Sequence, residues 1–203
     1  LAPWEMVGRY LSSWTASPYL GSANFNVGLV PVLLVLSALR GIGLQRGERV
    51  AIYLEKRFEA VIASFGTAAA GGVFVPLNPL LKPEQVSYIL RDCNVRVLVT
   101  SNERLSLLTE SLVDCHDLLH LVLTNPEPLP ASTWPINRIS WSALLAAPAQ
   151  AGHRIIDSDM AAILYTSGST GKPKGVVLSH RNTVAGAKSV ATYLENMAHD
   201  TLL

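Results

Sequence analysis

Short runs of apolar and β-branched residues alternate with helix-forming stretches along most of this chain. Parallel strands cannot be joined by a tight turn, so this alternation indicates helical crossovers between strands. The runs are almost wholly apolar, which is typical of strands covered on both faces. The sequence therefore predicts an α/β fold with parallel β-sheets layered between α-helices. The predicted strands are Arg49–Leu54, Val73–Leu77, Val95–Thr100, Leu121–Thr124, Met160–Tyr165 and Gly175–Leu178.

The stretches between these strands carry helix start and stop signals. Gly41 and Gly71 follow helical patterns at the position where glycine commonly ends a helix. Pro83 suits a first helical turn, and Ser101 suits an N-cap. Four prolines between Asn125 and Asn137 predict an irregular surface loop. The predicted helices are Val32–Leu39, Glu55–Ala70, Pro83–Cys93, Leu105–Val113, Trp141–Ala147 and Arg181–Glu195.

One apolar run, Val27–Leu39, raises the question of a membrane segment. The run has 13 residues, whereas a helix needs about 20 to cross a bilayer. Asn24, Asn26 and Pro31 interrupt any longer window. We interpret the run as a core helix and expect no stable membrane span, with a membrane segment as the less favoured alternative.

Composition excludes two classes of protein. Hydrophobic residues make up 49% of the 203 positions, which rules out disorder for the bulk of the chain. The formal net charge is +1, so the basic footprint of a nucleic-acid-binding protein is missing. Cys93 and Cys115 are too few for a disulfide framework and lack metal spacing, which predicts a reducing, cytoplasmic location.

The segment between the last two predicted strands has the chemistry of a polyphosphate-binding loop. Glycines let successive backbone N–H groups turn toward one concavity, and hydroxyls and lysines add short donors and positive charge. Pro173 fixes its own φ and favours an extended Lys172, so that Lys174 enters the next strand in a defined direction. The segment is Thr166, Ser167, Gly168, Ser169, Thr170, Gly171, Lys172, Pro173, Lys174 and Gly175.

Other interpretations of this segment fit less well. A flexible Gly/Ser linker does not need two lysines beside a proline, and linkers rarely join two tightly apolar strands. A Walker A loop requires glycine five positions before its Gly-Lys pair, where Thr166 stands, and Ser or Thr where Pro173 stands. The glycines from Gly41 to Gly47 have the wrong spacing and order for a dinucleotide fingerprint.

Residues Ile163–His180 resemble the phosphate-binding motif of the adenylate-forming enzymes, the AMP-dependent synthetases and ligases. Gly43–Leu54 and Ala70–Pro79 resemble early core segments of the same family, and the likeness covers residues 32–203. Lys82–Val86 and Ala185–Val190 are most similar to the acyl-CoA ligase branch, including members associated with exosortase systems. We expect residues 1–30 to be a divergent N-terminal segment and residues 31–203 to be part of an AMP-binding N-terminal domain.

The resemblance implies a two-step reaction. A small-molecule carboxylic acid attacks the α-phosphorus of Mg-ATP, and coenzyme A then takes the acyl group from the acyl-adenylate. Residues Thr166–Gly175 would hold the β- and γ-phosphates. By position, Thr170 would be a catalytic hydroxyl on the phosphate or Mg²⁺ side, and Lys174 the catalytic charge partner of the departing pyrophosphate.

The family's adenine pocket, magnesium-binding acid, ribose-binding aspartate and catalytic lysine lie further along its chains than residue 203. We therefore expect that these 203 residues alone do not complete adenylation and fold poorly without partner strands; acyl-adenylate formed by the isolated chain would contradict this. Two alternatives stay open, a non-catalytic nucleotide-binding remnant and an adenylation domain that loads a carrier protein. The acyl substrate and the oligomeric state are not indicated.

Weaker patterns favour structural roles. His116 and His120 are four residues apart, but a metal pair would need one helix through both, and His120 opens an apolar strand. Asp157 and Asp159 are expected to cap or turn the chain before a strand. His180 follows a strand, where it could approach substrate or serve a structural role.

Overall fold

The structure is a computed structural model that describes residues 22–125, 135–146, 148, 150–166 and 172–195, with side chains from residue 31 onward. Six helices and seven strands lie in this part of the chain. The helices are α1 (Ser22–Gly41), α2 (Phe58–Ala69), α3 (Pro83–Asp92), α4 (Asn102–Leu108), α5 (Trp141–Leu145) and α6 (His180–Tyr193). The strands are β1 (Arg49–Tyr53), β2 (Val73–Pro76), β3 (Val95–Thr100), β4 (His120–Leu123), β5 (Asn137–Ser140), β6 (Met160–Thr166) and β7 (Lys174–Ser179).

The strands form one sheet in the order β5-β4-β3-β1-β2-β6-β7. Every neighbouring pair is parallel except β6–β7, which is an antiparallel hairpin. Helices cover both faces, because α3 and α4 contribute to one buried cluster and α1, α2 and α5 to the other. The predicted α/β fold with a parallel sheet between helices is confirmed.

Alternating side chains along the central strand supply both buried clusters. Val50 and Ile52 of β1 belong to the α1–α2 side, and Ala51 and Tyr53 to the α3–α4 side. All four are at most 3% exposed. This two-sided burial explains why the strand runs are continuously apolar in the sequence.

Helix α1 differs from the expectation. It begins at Ser22 and continues through Pro31, whereas the sequence predicted a helix from Val32 with Pro31 as an interruption. A proline inside a helix removes one backbone hydrogen bond, and packing of the rest of the helix can maintain it. Val35 and Leu39 are each 1% exposed and provide that packing. Within the described residues, no helix combines the length and apolarity that a bilayer span requires.

Two helix starts and one strand were also predicted wrongly. Helix α2 begins at Phe58 rather than Glu55, because Arg57 is extended at the N-cap position and Glu55 pairs with Arg104. Helix α4 begins at Asn102, three residues earlier than predicted, with Ser101 as the expected N-cap. Strand β5 lies at the end of the expected proline-rich loop, of which residues 126–134 are outside the described residues; its polar sequence carries no core signal.

Strand β7 and helix α6 are the most exposed elements at the β6–β7 end of the sheet. Val176 and Val177 of β7 are about half exposed. No residue of α6 is buried among the described residues. Strand β7 and helix α6 therefore depend on β6 for their attachment to the sheet, and β6 in turn pairs with β2.

Helices α1 and α2 approach each other most closely at Gly66. A Cβ built at Gly66 would lie 2.6 Å from Val35 Cγ1 and 2.8 Å from Val35 Cβ. We predict that Gly66→Ala lowers the free energy of unfolding by about 1–3 kcal/mol, because overpacking outweighs the helix propensity of alanine. Chemical denaturation measures the change.

The matched control is Gly186→Ala in α6, where an added Cβ meets nothing within 4 Å among the described residues. Helix propensity alone predicts that this change raises stability by about 0.5–1 kcal/mol. Equal effects of the two substitutions would contradict the close helix approach.

Candidate functional site

The two ends of the candidate phosphate loop, Thr166 and Lys174, lie at the edge of the sheet where the parallel strands end. Strand β6 pairs in parallel with β2 through Phe74 and Ala162, and β2 pairs in parallel with β1. The carboxyl end of β6, Thr166, therefore lies at the same edge as the carboxyl ends of β1 to β5. In open α/β sheets, ligands bind outside this edge.

The two ends of the loop are held by the antiparallel pairing of β6 and β7. Thr166 pairs with Lys174, and Tyr165 pairs with Gly175. Both strands are one residue longer toward the loop than predicted, so Thr166 and Lys174 are strand residues. The expectation that Lys174 enters the strand is confirmed. Ser167, Gly168, Ser169, Thr170 and Gly171 lie outside the described residues.

The two lysines of the loop lie toward opposite faces of the sheet. Ile163 and Tyr165 pack against the cluster on the α3 face, so by strand alternation Thr166 and Lys174 lie on the other face. Both are exposed. Lys172 lies on the α3 face, with Nζ 5.9 Å from the centroid of the Tyr88 ring.

The residues at the loop have the chemistry of a phosphate site rather than of a metal cage. Thr166 contributes a hydroxyl, and Lys172 and Lys174 contribute ammonium groups at the carboxyl edge. Segment 166–175 contains no carboxylate, although hard cations such as Mg²⁺ prefer carboxylate ligands. The donor set therefore fits phosphate oxygens.

Tyr165 is a site residue that the sequence analysis did not single out. Its phenolic O–H donates to Asp92 Oδ2 at 2.5 Å. Burial raises the pKa of Tyr165 well above its usual range, and the hydrogen bond to Asp92 is the second largest cause of this increase. The hydroxyl therefore stays protonated at neutral pH. A Cβ at Gly175 would lie 2.8 Å from Ile163 Cγ2 and 3.2 Å from Tyr165 Cζ. Gly175 thus leaves room for the Tyr165 ring.

His180 lies at the opposite end of the hairpin from the loop. Its backbone N–H donates to the Asp159 carbonyl at 3.0 Å, next to the start of β6. The seven residues of β6 span about 23 Å at ~3.3 Å per residue. Of the two roles considered for His180, the structural role at a strand end fits, and an approach to substrate at the loop does not.

Asp159 turns the chain before β6, as predicted. Its Oδ2 accepts from the Ile156 N–H at 3.1 Å. The Arg46 guanidinium donates to both carboxylate oxygens, at 2.6 and 3.0 Å, and holds the pKa of Asp159 below its usual range. This pair links the start of β6 to the turn before β1.

The histidine pair does not form a metal site. His116 lies in a turn and His120 begins β4, so one helix does not carry both, and the expectation of separate elements is confirmed. Within the described residues, no group of three or more His, Cys, Asp or Glu side chains could hold a metal ion. Cys93 and Cys115 are free thiols.

A sequence model described as "AMP-binding enzyme" matches residues 35–203. The chain therefore belongs to the AMP-binding enzyme family, the adenylate-forming ligases. Gramicidin S synthase 2 of Brevibacillus brevis is 33% identical over 169 residues, covering 83% of this chain and 3% of the relative. Crotonobetaine/carnitine–CoA ligase of Salmonella typhi is 33% identical over 141 residues, covering 70% of this chain and 27% of the relative.

Solved structures agree with the fold. The anthranilate CoA ligase AuaEII in complex with anthranoyl-AMP superposes with a TM-score of 0.73 at 30% identity, over 81% of this chain and 31% of the ligase. Apo MatB from Rhodopseudomonas palustris gives 0.67 at 26% identity, over 84% of this chain and 32% of MatB. The chain thus spans less than a third of each of these relatives.

Burial of His180 predicts a pH dependence of stability. Nε2 of His180 is buried without a hydrogen-bond partner among the described residues, and burial lowers the pKa of His180 in the folded state. Below the unfolded value of about 6.5, the unfolded chain therefore binds a proton that the folded chain does not, and stability falls with pH. We predict that His180→Gln reduces the loss of unfolding free energy between pH 7.5 and pH 5.5.

The control is His116→Gln, at an exposed turn position, which should leave that pH-dependent loss unchanged. Burial lowers the pKa of His120 as well, so part of the loss should remain in His180→Gln. Urea denaturation at the two pH values measures it. An identical loss in wild type and His180→Gln would contradict the assignment.

Proposed function

We propose that the protein carrying this chain activates a carboxylic acid with Mg-ATP and transfers the acyl group from the acyl-adenylate to coenzyme A. The observation that carries the proposal is the β6–β7 hairpin, which brings Thr166 and Lys174, near the two ends of a sequence that matches the family's glycine, hydroxyl and lysine motif, to the carboxyl edge of the sheet. The complex of the similar anthranilate CoA ligase with anthranoyl-AMP, an acyl-adenylate, supports it.

In this proposal, residues Thr166–Gly175 hold the β- and γ-phosphates. Negative charge grows on the departing pyrophosphate, and donors that are already in position stabilise it without reorganisation. Lys174 supplies a point charge, and its pairing with Thr166 fixes where its strand begins. Thr170 supplies a hydroxyl on the phosphate or Mg²⁺ side. The Mg²⁺ carboxylate ligand has to come from outside the loop, since segment 166–175 has none.

A carrier protein is the alternative acyl acceptor. The 33% identity to gramicidin S synthase 2 over 169 residues favours it as much as the 33% identity to crotonobetaine/carnitine–CoA ligase over 141 residues favours coenzyme A. AMP release with a panel of carboxylates, measured with coenzyme A and separately with a phosphopantetheinylated carrier protein, distinguishes them. A protein that binds Mg-ATP and releases no AMP with either thiol would be the non-catalytic remnant.

The role of Lys174 is tested by Lys174→Ala in the complete protein that carries this chain. Removing one preorganised donor of transition-state charge costs about 10²–10³-fold in rate. We predict a loss of this size in carboxylate-dependent exchange of pyrophosphate into ATP.

The control is Lys188→Ala, which removes the same charge from α6, more than a dozen residues beyond Lys174. It should exchange pyrophosphate at the wild-type rate. Near-normal exchange in Lys174→Ala would remove Lys174 from the proposed mechanism, and a wild-type protein without affinity for Mg-ATP would refute the proposed function itself.

A further inference from the structure

One turn of α3 contacts the chain on both sides of the phosphate loop. Asp92, the last residue of α3, accepts the hydrogen bond from Tyr165, which directly precedes the loop. Tyr88, four residues earlier on the same helix face, lies under Lys172, which follows the loop segment 167–171. Tyr88 also donates to Asp92 Oδ1 over a long 3.4 Å. The same helical turn therefore touches both ends of the loop.

The hydrogen bond between Tyr165 and Asp92 is the strongest of these three contacts. A 2.5 Å O–H···O distance lies at the short end of the range for a hydroxyl and a carboxylate, where such bonds are about twice as strong as neutral ones. The contact joins residues 73 positions apart. The ring of Tyr165 passes over Gly175 on the neighbouring strand, so the same side chain also packs on the start of β7.

We propose that Asp92 and Tyr165 are positioning residues that hold the end of β6 against α3 and thereby fix where the phosphate loop leaves the sheet to receive the β- and γ-phosphates. The inference rests on the proposed function. Neither residue touches phosphate in this arrangement; each acts through the loop. Tyr88 contributes a weaker contact, the face of its ring against Lys172.

The physical effect of this arrangement is preorganisation. A loop whose ends are fixed before binding loses less conformational freedom when a ligand orders it. Removing the Tyr165 hydroxyl or the Asp92 carboxylate leaves the end at residue 166 held by the β6–β7 pairing alone, and phosphate binding then has to restrict its remaining motion. The defect should therefore weaken binding of ATP, which reaches the loop with its β- and γ-phosphates, and leave AMP, which lacks them, nearly unaffected.

The test compares the dissociation constants of Mg-ATP and of AMP by calorimetry, in the complete protein that carries this chain. Tyr165→Phe and Asp92→Ala should each raise the constant for Mg-ATP about tenfold, the loss of one charge-assisted hydrogen bond. The constant for AMP should change less than twofold. Asp92→Asn, whose amide oxygen can still accept from Tyr165 in a neutral and weaker hydrogen bond, should bind Mg-ATP with a constant between those of wild type and Asp92→Ala.

Limited trypsin digestion gives a second measurement that needs no nucleotide. Trypsin cleaves after Lys174, and the bond after Lys172 resists because it precedes Pro173. At a temperature well below the unfolding midpoint of every variant, Tyr165→Phe and Asp92→Ala should speed cleavage after Lys174 several-fold. Asp92→Asn should be cleaved at a rate between those of wild type and Asp92→Ala.

Three results distinguish a failure of this inference from a failure of the proposed function. Equal weakening of ATP and AMP binding, or faster cleavage that is explained by a lower unfolding midpoint alone, would make Asp92 and Tyr165 ordinary stabilising residues and overturn the inference. Wild-type constants and cleavage rates in both variants would overturn it as well. A wild-type protein that does not bind Mg-ATP would refute the proposed function, and with it the nucleotide role, while the cleavage rates would still decide whether Asp92 holds the loop.

Discussion

Burial of both faces of β1 is the constraint on which the rest of the structure depends. Val50 and Ile52 face one helix layer and Ala51 and Tyr53 the other, and none of them is more than 3% exposed. A strand buried in this way needs parallel neighbours and helical crossovers on both sides. Each crossover returns the chain to the same edge of the sheet, so the carboxyl ends of β1 to β6 lie together. The chain leaves β6 at this edge, at Thr166, because the hydrophobic core requires parallel strands.

The parts of the fold that the sequence predicts are those that the core determines. The six strands with apolar runs were all expected, since each supplies buried side chains. Strand β5, with the sequence NRIS, was not, because an edge strand is held by backbone hydrogen bonds to β4 and needs no apolar side chains. The start of α1 was missed for a related reason: Pro31 is unfavourable locally, and only the packing of α1 in the folded chain compensates.

The candidate site also has features that the sequence predicts and contacts that it does not. The residue types from Thr166 to Gly175 predict phosphate chemistry from the sequence alone, because the glycines, hydroxyls and lysines that favour it are neighbours along the chain. The contact between Asp92 and Tyr165 has no local signature, since it depends on how α3 lies across β6. Lys172 and Lys174 are two residues apart, so the strand period alone would place both on one face of the sheet. They lie toward opposite faces because β7 begins at Lys174 and Lys172 is outside the strand.

Gly175 shows that a glycine within a ligand-binding motif can be explained by its neighbour. The ring of Tyr165 and the methyl group of Ile163 occupy the space that any side chain at position 175 would enter. Positions 163, 165 and 175 are therefore expected to vary together over evolutionary time: small residues at both 163 and 165 would allow alanine at 175, and isoleucine at 163 or an aromatic residue at 165 would favour glycine there.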